Sequence, residues 1–328
     1  MSGIETVGLV GAGVIGAGWA TRILARGLRV VAWDPDPDFG VRLRASVDRA
    51  WPLMEEVGLF PEASPEKLSV VKHLEEAVES ADFVQESAPE RIELKTRLHA
   101  EIDALTPEGV PIASSTSGLL PSEFQSECLH PERVLVGHPF NPVYLLPLVE
   151  VLGGEQTAEK ILERASDFYT DLGMKPLRVR KEIPGFLADR LQEALWREIL
   201  HLVDEGVATP AELDAAISYG PGLRWALAGT CFHFHLAGGS GGMRQMLEHF
   251  DPALFPWARF DAPDLDSELV DRMAEGCAEL ACGRSIEDLE QKRDRELLGI
   301  LESLLKDDQG AGRLLARHRQ RIAEEGKH

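Results

Sequence analysis

The sequence predicts an α/β protein in which a doubly wound parallel sheet is followed by an all-helical second domain. Three observations lead to this fold class. Short apolar segments alternate with helical patterns as far as Val179, and this alternation is typical of a parallel sheet. A glycine-rich turn joins the first apolar segment to the first helix. Beyond Ile183 only helical patterns occur, which predicts domains at residues 1–182 and 183–328.

The first βαβ unit is the clearest part of the pattern. Residues 6–10 predict an apolar strand, residues 17–26 a helix, and residues 28–33 a second buried strand. The intervening turn reads Gly-Ala-Gly-Val-Ile-Gly, which is the Rossmann fingerprint for a dinucleotide. Its first glycine makes the tight turn, the second admits the pyrophosphate, and the third lets the helix lie close to the sheet. The predicted cofactor-binding residues of this turn are Gly11, Gly13, Val14, Ile15 and Gly16.

Asp34, at the end of the second strand, predicts which dinucleotide binds. A carboxylate at this position accepts hydrogen bonds from the adenosine ribose and repels a 2′-phosphate. We therefore expect NAD rather than NADP as the cofactor.

The remaining elements follow in order along the chain. Helical spacing within residues 35–63 predicts one buried face made of Val41, Leu43, Val47, Trp51 and Met54. Further strands are predicted at 68–71, 82–86, 111–115, 134–137, 148–152 and 175–179, with helices at 74–81, 92–105, near 121 and at 157–172. The second domain is predicted to contain helices at 186–207, at 210–218 and from 267 to the C-terminus.

Composition and charge argue against several classes of protein. The formal net charge of −21 disfavours nucleic acid and anionic membrane surfaces as partners. No signal peptide precedes the first strand, and no apolar run is long enough to span a bilayer. The cysteines show neither CxxC nor zinc-ligand spacing, which predicts reduced thiols, no metal site and a cytoplasmic location. They are Cys128, Cys231, Cys277 and Cys282.

Residues near three predicted strand ends could carry out chemistry. His138 follows one strand, and Glu150 lies within the next, apolar one. Because a buried carboxylate is costly unless it is paired, we expect Glu150 to bind His138 and to support it as a general base. Ser117 and Asn141 could then hydrogen-bond the substrate oxygen. Each residue alone would be an ordinary turn or loop residue, but together they predict an alcohol dehydrogenase that transfers hydride to nicotinamide.

Five segments in this order resemble the 3-hydroxyacyl-CoA dehydrogenase superfamily: GAGVIGAGWA, PERIELK, SSTSGL, HPFNPVYLLPLVEV and PGFLADRL. The resemblance covers nearly the whole chain. It implies that the four residues named above are catalytic, and that Ala88, Glu90 and Lys95 lie near the nicotinamide end of NAD. The alternative for Glu90 and Lys95 is an ordinary surface ion pair at the start of a helix.

Departures from the family pattern favour a free 3-hydroxy acid over a coenzyme A thioester. Asp189 stands where the family usually carries asparagine, and the segment GPGLRWA at 220–226 resembles the branch acting on free 3-hydroxy acids. Arg224 in this segment could bind a substrate carboxylate or form a structural salt bridge. Where the coenzyme A enzymes carry basic residues, this chain has Asp36, Asp38, Glu55 and Glu56.

The resemblance further implies a zwitterionic substrate with a quaternary ammonium group, which aromatic faces usually hold. The predicted substrate-binding residues are Phe140, Phe186, Ala188, Asp189, Arg224 and Trp225. We expect the second domain to form a homodimer. The alternatives are another free 3-hydroxy acid, a 3-hydroxyacyl-CoA substrate, or an NAD-binding structural protein of the crystallin type without turnover.

Overall fold

A computed structural model of the chain describes residues 3–226, 228–238, 240, 242–249, 266–269, 271, 282–306 and 311–326. Cys277 and most of the predicted helical region at 267–281 lie outside the described residues. The chain divides into two compact units, of which the first comprises Met1–Leu187 and Arg313–His328 and the second Ala188–Gly312. The domain limits 1–182 and 183–328 stay a prediction, and the C-terminal segment groups with the first unit.

The first unit is built on an eight-stranded sheet, which confirms the predicted α/β class. Its strands are β1 Thr6–Val10, β2 Arg29–Trp33, β3 Leu68–Val70, β4 Phe83–Glu86, β5 Ile112–Ser114, β6 Val134–Pro139, β7 Leu148–Gly153 and β8 Lys175–Arg178. Their order is β3-β2-β1-β4-β5-β6-β7-β8. The chain therefore builds one side of the sheet from β1 outward and then returns to the other side at β4, which makes the β1–β4 junction the topological switch point.

Strand β7, together with β8 that runs parallel to it, departs from the predicted parallel sheet. It pairs antiparallel with β6, whereas the other neighbouring pairs are parallel. The connection at residues 140–147 carries no helix and is too short for a parallel crossover, which takes about a dozen residues or more. Strand and helix patterns do not reveal strand direction. The antiparallel register places His138 directly opposite Glu150.

Helices cover both faces of this sheet. They are α1 Val14–Ala25, α2 Phe39–Val57, α3 Leu74–Val78, α4 Ile92–Leu105, α5 Pro121–Phe124 and α6 Glu159–Asp171. On α2, Leu43, Val47 and Met54 are buried as predicted and Trp51 is half-buried, but Val41 is 78% exposed. The prediction for Val41 was wrong because a residue two positions from Leu43 lies about 200° around the helix.

The C-terminal helix, Gly312–Glu325, packs on the first unit. Arg26 forms an ion pair with Glu325 at 3.1 Å, and its guanidinium lies 3.9 Å from the centre of the Phe60 ring. His318 donates from Nε2 to the Gly58 carbonyl at 2.6 Å. These contacts stabilise the edge of the sheet layer around α1 and α2.

The described residues of the second unit are helical and contain no strand, as predicted. The helices are α7 Ala188–Asp204, α8 Pro210–Ser218, α9 Pro221–Trp225, α10 Thr230–Ala237, α11 Gly242–His249 and a long helix Ile286–Lys306. A capping box starts α8, in which Thr209 accepts from the Glu212 amide while the Glu212 carboxylate accepts from the Thr209 amide. None of the helices described in either unit has the length and apolarity needed to cross a bilayer.

Candidate active site

The glycine-rich turn has the shape that a dinucleotide requires. Gly11 has a φ of +93°, and a Cβ there would lie 2.7 Å from the Ser87 carbonyl. A Cβ at Gly16 would lie 2.1 Å from the Gly11 oxygen, so α1 can approach the turn only through glycine. Gly13, in contrast, has nothing within 4 Å of a Cβ position, and Val14 beside it is 67% exposed. The turn therefore leaves open space at the α1 N-terminus, where a pyrophosphate would bind.

Asp34 is held beside this turn. Its Oδ2 accepts from the Ala12 amide at 2.9 Å, and its Oδ1 accepts from the Asp36 amide at 2.9 Å. The Gly11 amide donates to the Trp33 carbonyl at 2.9 Å. These bonds fix the carboxylate at the carboxyl end of β2, where an adenosine ribose is recognised in this fold. The residues present thus fit NAD.

His138 and Glu150 form a buried pair at the carboxyl end of β6. His138 Nδ1 and Glu150 Oε2 are 2.9 Å apart, and the two residues are 6% and 0% exposed. The second carboxylate oxygen accepts from the Leu187 amide at 2.9 Å. The rings of Phe140 and Phe186 lie 4.8 and 5.6 Å from the imidazole, centre to centre. Phe186 is fully buried, so it packs against the imidazole.

This geometry determines what the imidazole can do. A carboxylate can only accept, so Nδ1 carries a proton that it donates to Glu150. The tautomer is therefore assigned from the hydrogen bond, and proton exchange with a substrate would use Nε2. A positive charge formed on the ring would be stabilised by Glu150 at 2.9 Å. The pair has the arrangement of a general base and its orienting acid.

Ser117 and Glu90 are brought together at the end of β5. Glu90 Oε1 accepts from the Ser117 amide at 3.0 Å and from the Gly118 amide at 3.2 Å, and the Ser117 hydroxyl lies 3.4 Å away. The Thr116 hydroxyl also donates to this oxygen. A predicted catalytic residue and a predicted cofactor residue are thus joined. Asn141 is exposed in the loop after β6 and precedes a cis proline.

Lys95 lies in the protein interior, so the alternative of an ordinary surface pair with Glu90 was wrong. Its ammonium group is 2.8 and 3.0 Å from the two oxygens of Glu86, and both residues are 0% exposed. It also donates to the Ala88 carbonyl at 3.0 Å, while Glu90 is 3.9 Å away. The Ala88 amide donates to Glu86. The ion pair therefore holds the Ala88 peptide from both sides.

Glu86 was not predicted from the sequence as part of this site. Burial raises the pKa of its carboxyl, but the charge of Lys95 and the hydrogen bonds from Lys95 and Ser114 lower it more. Its pKa therefore lies below the ordinary value, and it is ionised. For His99, burial lowers the pKa more than Glu86 raises it, so the imidazole is neutral. A glutamate at the end of an apolar strand was the available signal, since it required a buried partner.

Four predicted substrate residues lie in the second unit. Ala188 and Asp189 begin α7, and Arg224 and Trp225 end α9. The Arg224 and Trp225 side chains are exposed, and the Arg224 carbonyl accepts from His233 at 2.8 Å. Their roles toward a substrate stay predictions. In the part of the chain that the structure describes, no group of three or more His, Cys, Asp or Glu could hold a metal ion.

Comparisons with known proteins show the family to which the chain belongs. Family models for the NAD binding domain and the C-terminal domain of 3-hydroxyacyl-CoA dehydrogenase match residues 6–183 and 185–278. The chain is 57% identical to L-carnitine dehydrogenase of Pseudomonas aeruginosa over 302 residues, which cover 92% of this chain and 94% of that protein. It is 55% identical to L-carnitine dehydrogenase of Nocardiopsis dassonvillei, with 92% of each chain covered.

Solved structures show the same fold. A crystal structure of 5-formyl-3-hydroxy-2-methylpyridine 4-carboxylic acid 5-dehydrogenase, an NAD+ dependent dismutase, has a TM-score of 0.78 at 27% identity and covers 94% of this chain and 100% of that one. (S)-3-hydroxybutyryl-CoA dehydrogenase from Ralstonia eutropha has a TM-score of 0.60 at 26% identity, covering 85% and 94%. The chain therefore belongs to the 3-hydroxyacyl-CoA dehydrogenase family and is an NAD-dependent 3-hydroxy acid dehydrogenase.

Proposed function

We propose that this enzyme oxidises the 3-hydroxyl of L-carnitine to 3-dehydrocarnitine with NAD. The observation that carries the chemistry is the His138–Glu150 pair, 2.9 Å apart at the carboxyl edge of the sheet. The choice of substrate is supported by the identity of 57% to an L-carnitine dehydrogenase over nearly the whole chain.

In this proposal His138 is the general base. Its Nε2 takes the proton of the substrate hydroxyl, and Glu150 stabilises the imidazolium that results. Ser117 and Asn141 hydrogen-bond the reacting oxygen. NAD supplies the acceptor for the hydride that leaves the substrate carbon. Proton transfer and orientation of the reacting oxygen are thus assigned to the side chains around β5, β6 and β7.

The substrate carries two further groups that need recognition. We assign its carboxylate to Arg224, because a guanidinium binds a carboxylate in two-point contact. We assign its trimethylammonium group to aromatic faces, with Phe140 and Trp225 as candidates and Asp189 as a source of negative charge. Phe186 is fully buried, so we propose that it acts by holding the imidazole. Ala188 stays a predicted substrate-binding residue.

A substrate panel tests the function. We expect NADH formation with L-carnitine at a higher kcat/KM than with D-carnitine, L-gulonate, L-3-hydroxybutyrate or the coenzyme A thioester of L-3-hydroxybutyrate. Activity with the thioester alone would overturn the choice of a free acid, and preference for L-gulonate would reassign the substrate. An NAD-binding protein without turnover would yield no NADH with any of the five.

We also propose that the enzyme is a homodimer formed through the second unit. Large apolar side chains of that unit are exposed in the single chain, and extensive apolar exposure is uncommon in monomers. They include Leu191, Val207, Tyr219, Leu223, Phe232 and Leu247. Light scattering should give about twice the chain mass of 36.1 kDa. A monomer at micromolar concentration would contradict this proposal. A cytoplasmic location likewise stays a prediction.

A further inference from the structure

A hydrogen-bond network of polar side chains lies beneath the glycine-rich turn and takes no part in the chemistry above. Three members of this network are each 0% exposed: Trp19, Gln85 and Tyr169. The hydroxyl of Ser115 is at its centre, 3.1 Å from the Trp19 indole nitrogen and 2.8 Å from the Gln85 side-chain nitrogen. The Ser87 hydroxyl is 2.9 Å from the Ser115 hydroxyl. The network therefore reaches from the interior to the glycine-rich turn.

The donor and the acceptor of each hydrogen bond in this network can be assigned. The indole N–H can only donate. The Gln85 amide is oriented by two partners: its nitrogen lies 3.4 Å from the Gly137 carbonyl, which can only accept, and its oxygen is bonded to the Tyr169 hydroxyl at 2.8 Å. The Ser115 oxygen thus accepts two hydrogen bonds, which occupies both of its lone pairs. Its own proton must therefore be donated to Ser87.

The consequence is that the Ser87 hydroxyl is an acceptor toward Ser115 and has its own proton to donate elsewhere. Ser87 directly follows β4, and its backbone lies 2.7 Å from the Cβ position of Gly11. Its own Cβ lies 3.8 Å from the Cβ position of Gly16. Ser87 therefore sits against the glycine-rich turn at the β1–β4 switch point, where a dinucleotide crosses the sheet in this fold.

We propose that Ser87 donates a hydrogen bond to NAD, at an oxygen of the pyrophosphate or of the adjoining nicotinamide ribose, and that Trp19, Gln85 and Ser115 orient its hydroxyl. Both oxygens accept hydrogen bonds. Because Ser115 donates to Ser87, the Ser87 proton is not used by the interior network and can be donated to one of these oxygens. The inference rests on NAD binding by this enzyme and not on the identity of its substrate.

Replacing the hydroxyl tests the contact directly. Ser87→Ala should weaken NADH binding about 3- to 10-fold, the effect of one hydrogen bond of roughly 1 kcal/mol. Titration of ADP and ADP-ribose by calorimetry locates the oxygen: weaker binding of both indicates the pyrophosphate, and weaker binding of ADP-ribose alone indicates the ribose. Unchanged NADH affinity would overturn the proposal. Because no substrate is present, this result is independent of the carnitine assignment.

The orienting role is tested by Trp19→Phe, which removes the N–H and keeps an aromatic ring. A lone pair of Ser115 becomes available, so Ser87 can turn inward and NADH affinity should fall about 2- to 3-fold. In the Ser87→Ala background the same change should have no further effect, which a double-mutant cycle measures. Additive losses would overturn the orienting role.

Two further variants keep this test decisive. Tyr169→Phe removes a network hydroxyl that does not touch Ser115, so it should lower the melting temperature without changing NADH affinity. If Trp19→Phe does not fold, Ser115→Ala enters the same cycle, since it also removes the group that fixes the direction of Ser87. A purely structural network would change melting temperature in every variant and the NADH affinity in none, which would contradict the proposal.

Discussion

Two buried glutamates in the same sheet differ in the side chain with which they pair. Glu86 at the end of β4 and Glu150 within β7 are both 0% exposed. Glu86 binds the ammonium group of Lys95 at 2.8 Å, and Glu150 binds the imidazole of His138 at 2.9 Å. Each carboxylate also accepts a backbone N–H, from Ala88 and Leu187. The two carboxylates share their burial and a backbone donor, and they differ in whether the paired side chain can accept a proton.

The difference shows how one sheet supports a static and a chemically active pair. The ammonium group of Lys95 has donors and no acceptor, so the Glu86–Lys95 pair can only hold the Ala88 peptide in place. The imidazole of His138 donates to Glu150 through Nδ1 and can accept a proton at Nε2, so the Glu150–His138 pair can take a proton and return it. Removing the partner of the glutamate should therefore damage activity at one site and stability at the other.

The largest effect is expected from His138→Gln. The glutamine can still donate to Glu150, but it cannot accept a proton, so kcat should fall about 10²- to 10⁴-fold. The affinity for NADH and the free energy of unfolding should change little. Steady-state kinetics, NADH titration and urea unfolding measure the three quantities.

His130→Gln is the matched control for this variant. His130 is partly exposed and lies in the loop before β6, at the end of that strand opposite to the His138–Glu150 pair. Its Nδ1 is 3.6 Å from Glu132 Oε1. Its replacement should leave kcat unchanged. A near-normal kcat for His138→Gln would remove the imidazole from the chemistry.

Lys95→Met tests the other pair and should act mainly on stability. It leaves the Glu86 carboxylate buried without its cation, which costs about 3–5 kcal/mol of unfolding free energy. Replacing both residues, as Glu86→Gln with Lys95→Met, should recover part of the loss because no buried charge remains. Guanidinium unfolding provides the measurement.

Lys292→Met is the control, because Lys292 pairs with Glu296 on an exposed helix face at 3.6 Å. An exposed pair contributes roughly 0–1 kcal/mol. If the two lysine variants lost similar amounts, the buried pair would not be the stabilising element that its geometry indicates.

Some of these features could be predicted from the sequence and others could not. The glycine-rich turn was predictable because its residues are local, and Glu150 was assigned to His138 because an acid in an apolar strand requires a partner. The antiparallel direction of β7 was not predictable from strand and helix patterns. Lys95 was expected near the cofactor or at the surface, because nothing local shows that α4 turns it inward toward β4.

The hydrogen-bond chain from Tyr169 to Ser87 was missed for a different reason. Its members lie on or directly after α1, β4, β5 and α6, and apart from Gln85 and Ser87 they are separated by tens of residues in the sequence. Serine, glutamine and tyrosine at such positions have no characteristic spacing. Only the packing of these elements shows that their polar groups meet.

A half-buried histidine that bonds a backbone carbonyl should respond to pH in a predictable direction. Burial, together with the charges of Arg22, Arg26 and Arg321, lowers the pKa of His318 to about 4, although the hydrogen bond to the Gly58 carbonyl raises it. An unfolded histidine titrates near 6.5, so between these values the unfolded chain binds a proton that the folded chain does not. The stability is therefore complete above about pH 6.5 and declines as the pH falls toward about 4, by at most about 3 kcal/mol.

His318→Gln should remove this dependence while keeping a donor for the Gly58 carbonyl. The unfolding free energy, measured at pH 7 and pH 5 for both proteins, should fall less in the variant. Other titrating groups are common to both and cancel in the difference. Equal pH dependence would show that His318 titrates normally in the folded protein.

The smallest effect is expected at Asp34, a third carboxylate at a strand end, whose hydrogen-bond donors are the backbone amides of Ala12 and Asp36. It is only half-buried, so its charge does not need a cation in the folded chain and can act on the cofactor. Asp34→Asn keeps one oxygen for these amides and removes the negative charge. NADH affinity should fall about tenfold, or roughly 1.4 kcal/mol, and the preference for NADH over NADPH should narrow, with little change in stability. Fluorescence titration with both cofactors measures this. Tighter binding of NADPH than NADH by the unaltered enzyme would remove the role of Asp34, because a carboxylate in that position repels the 2′-phosphate.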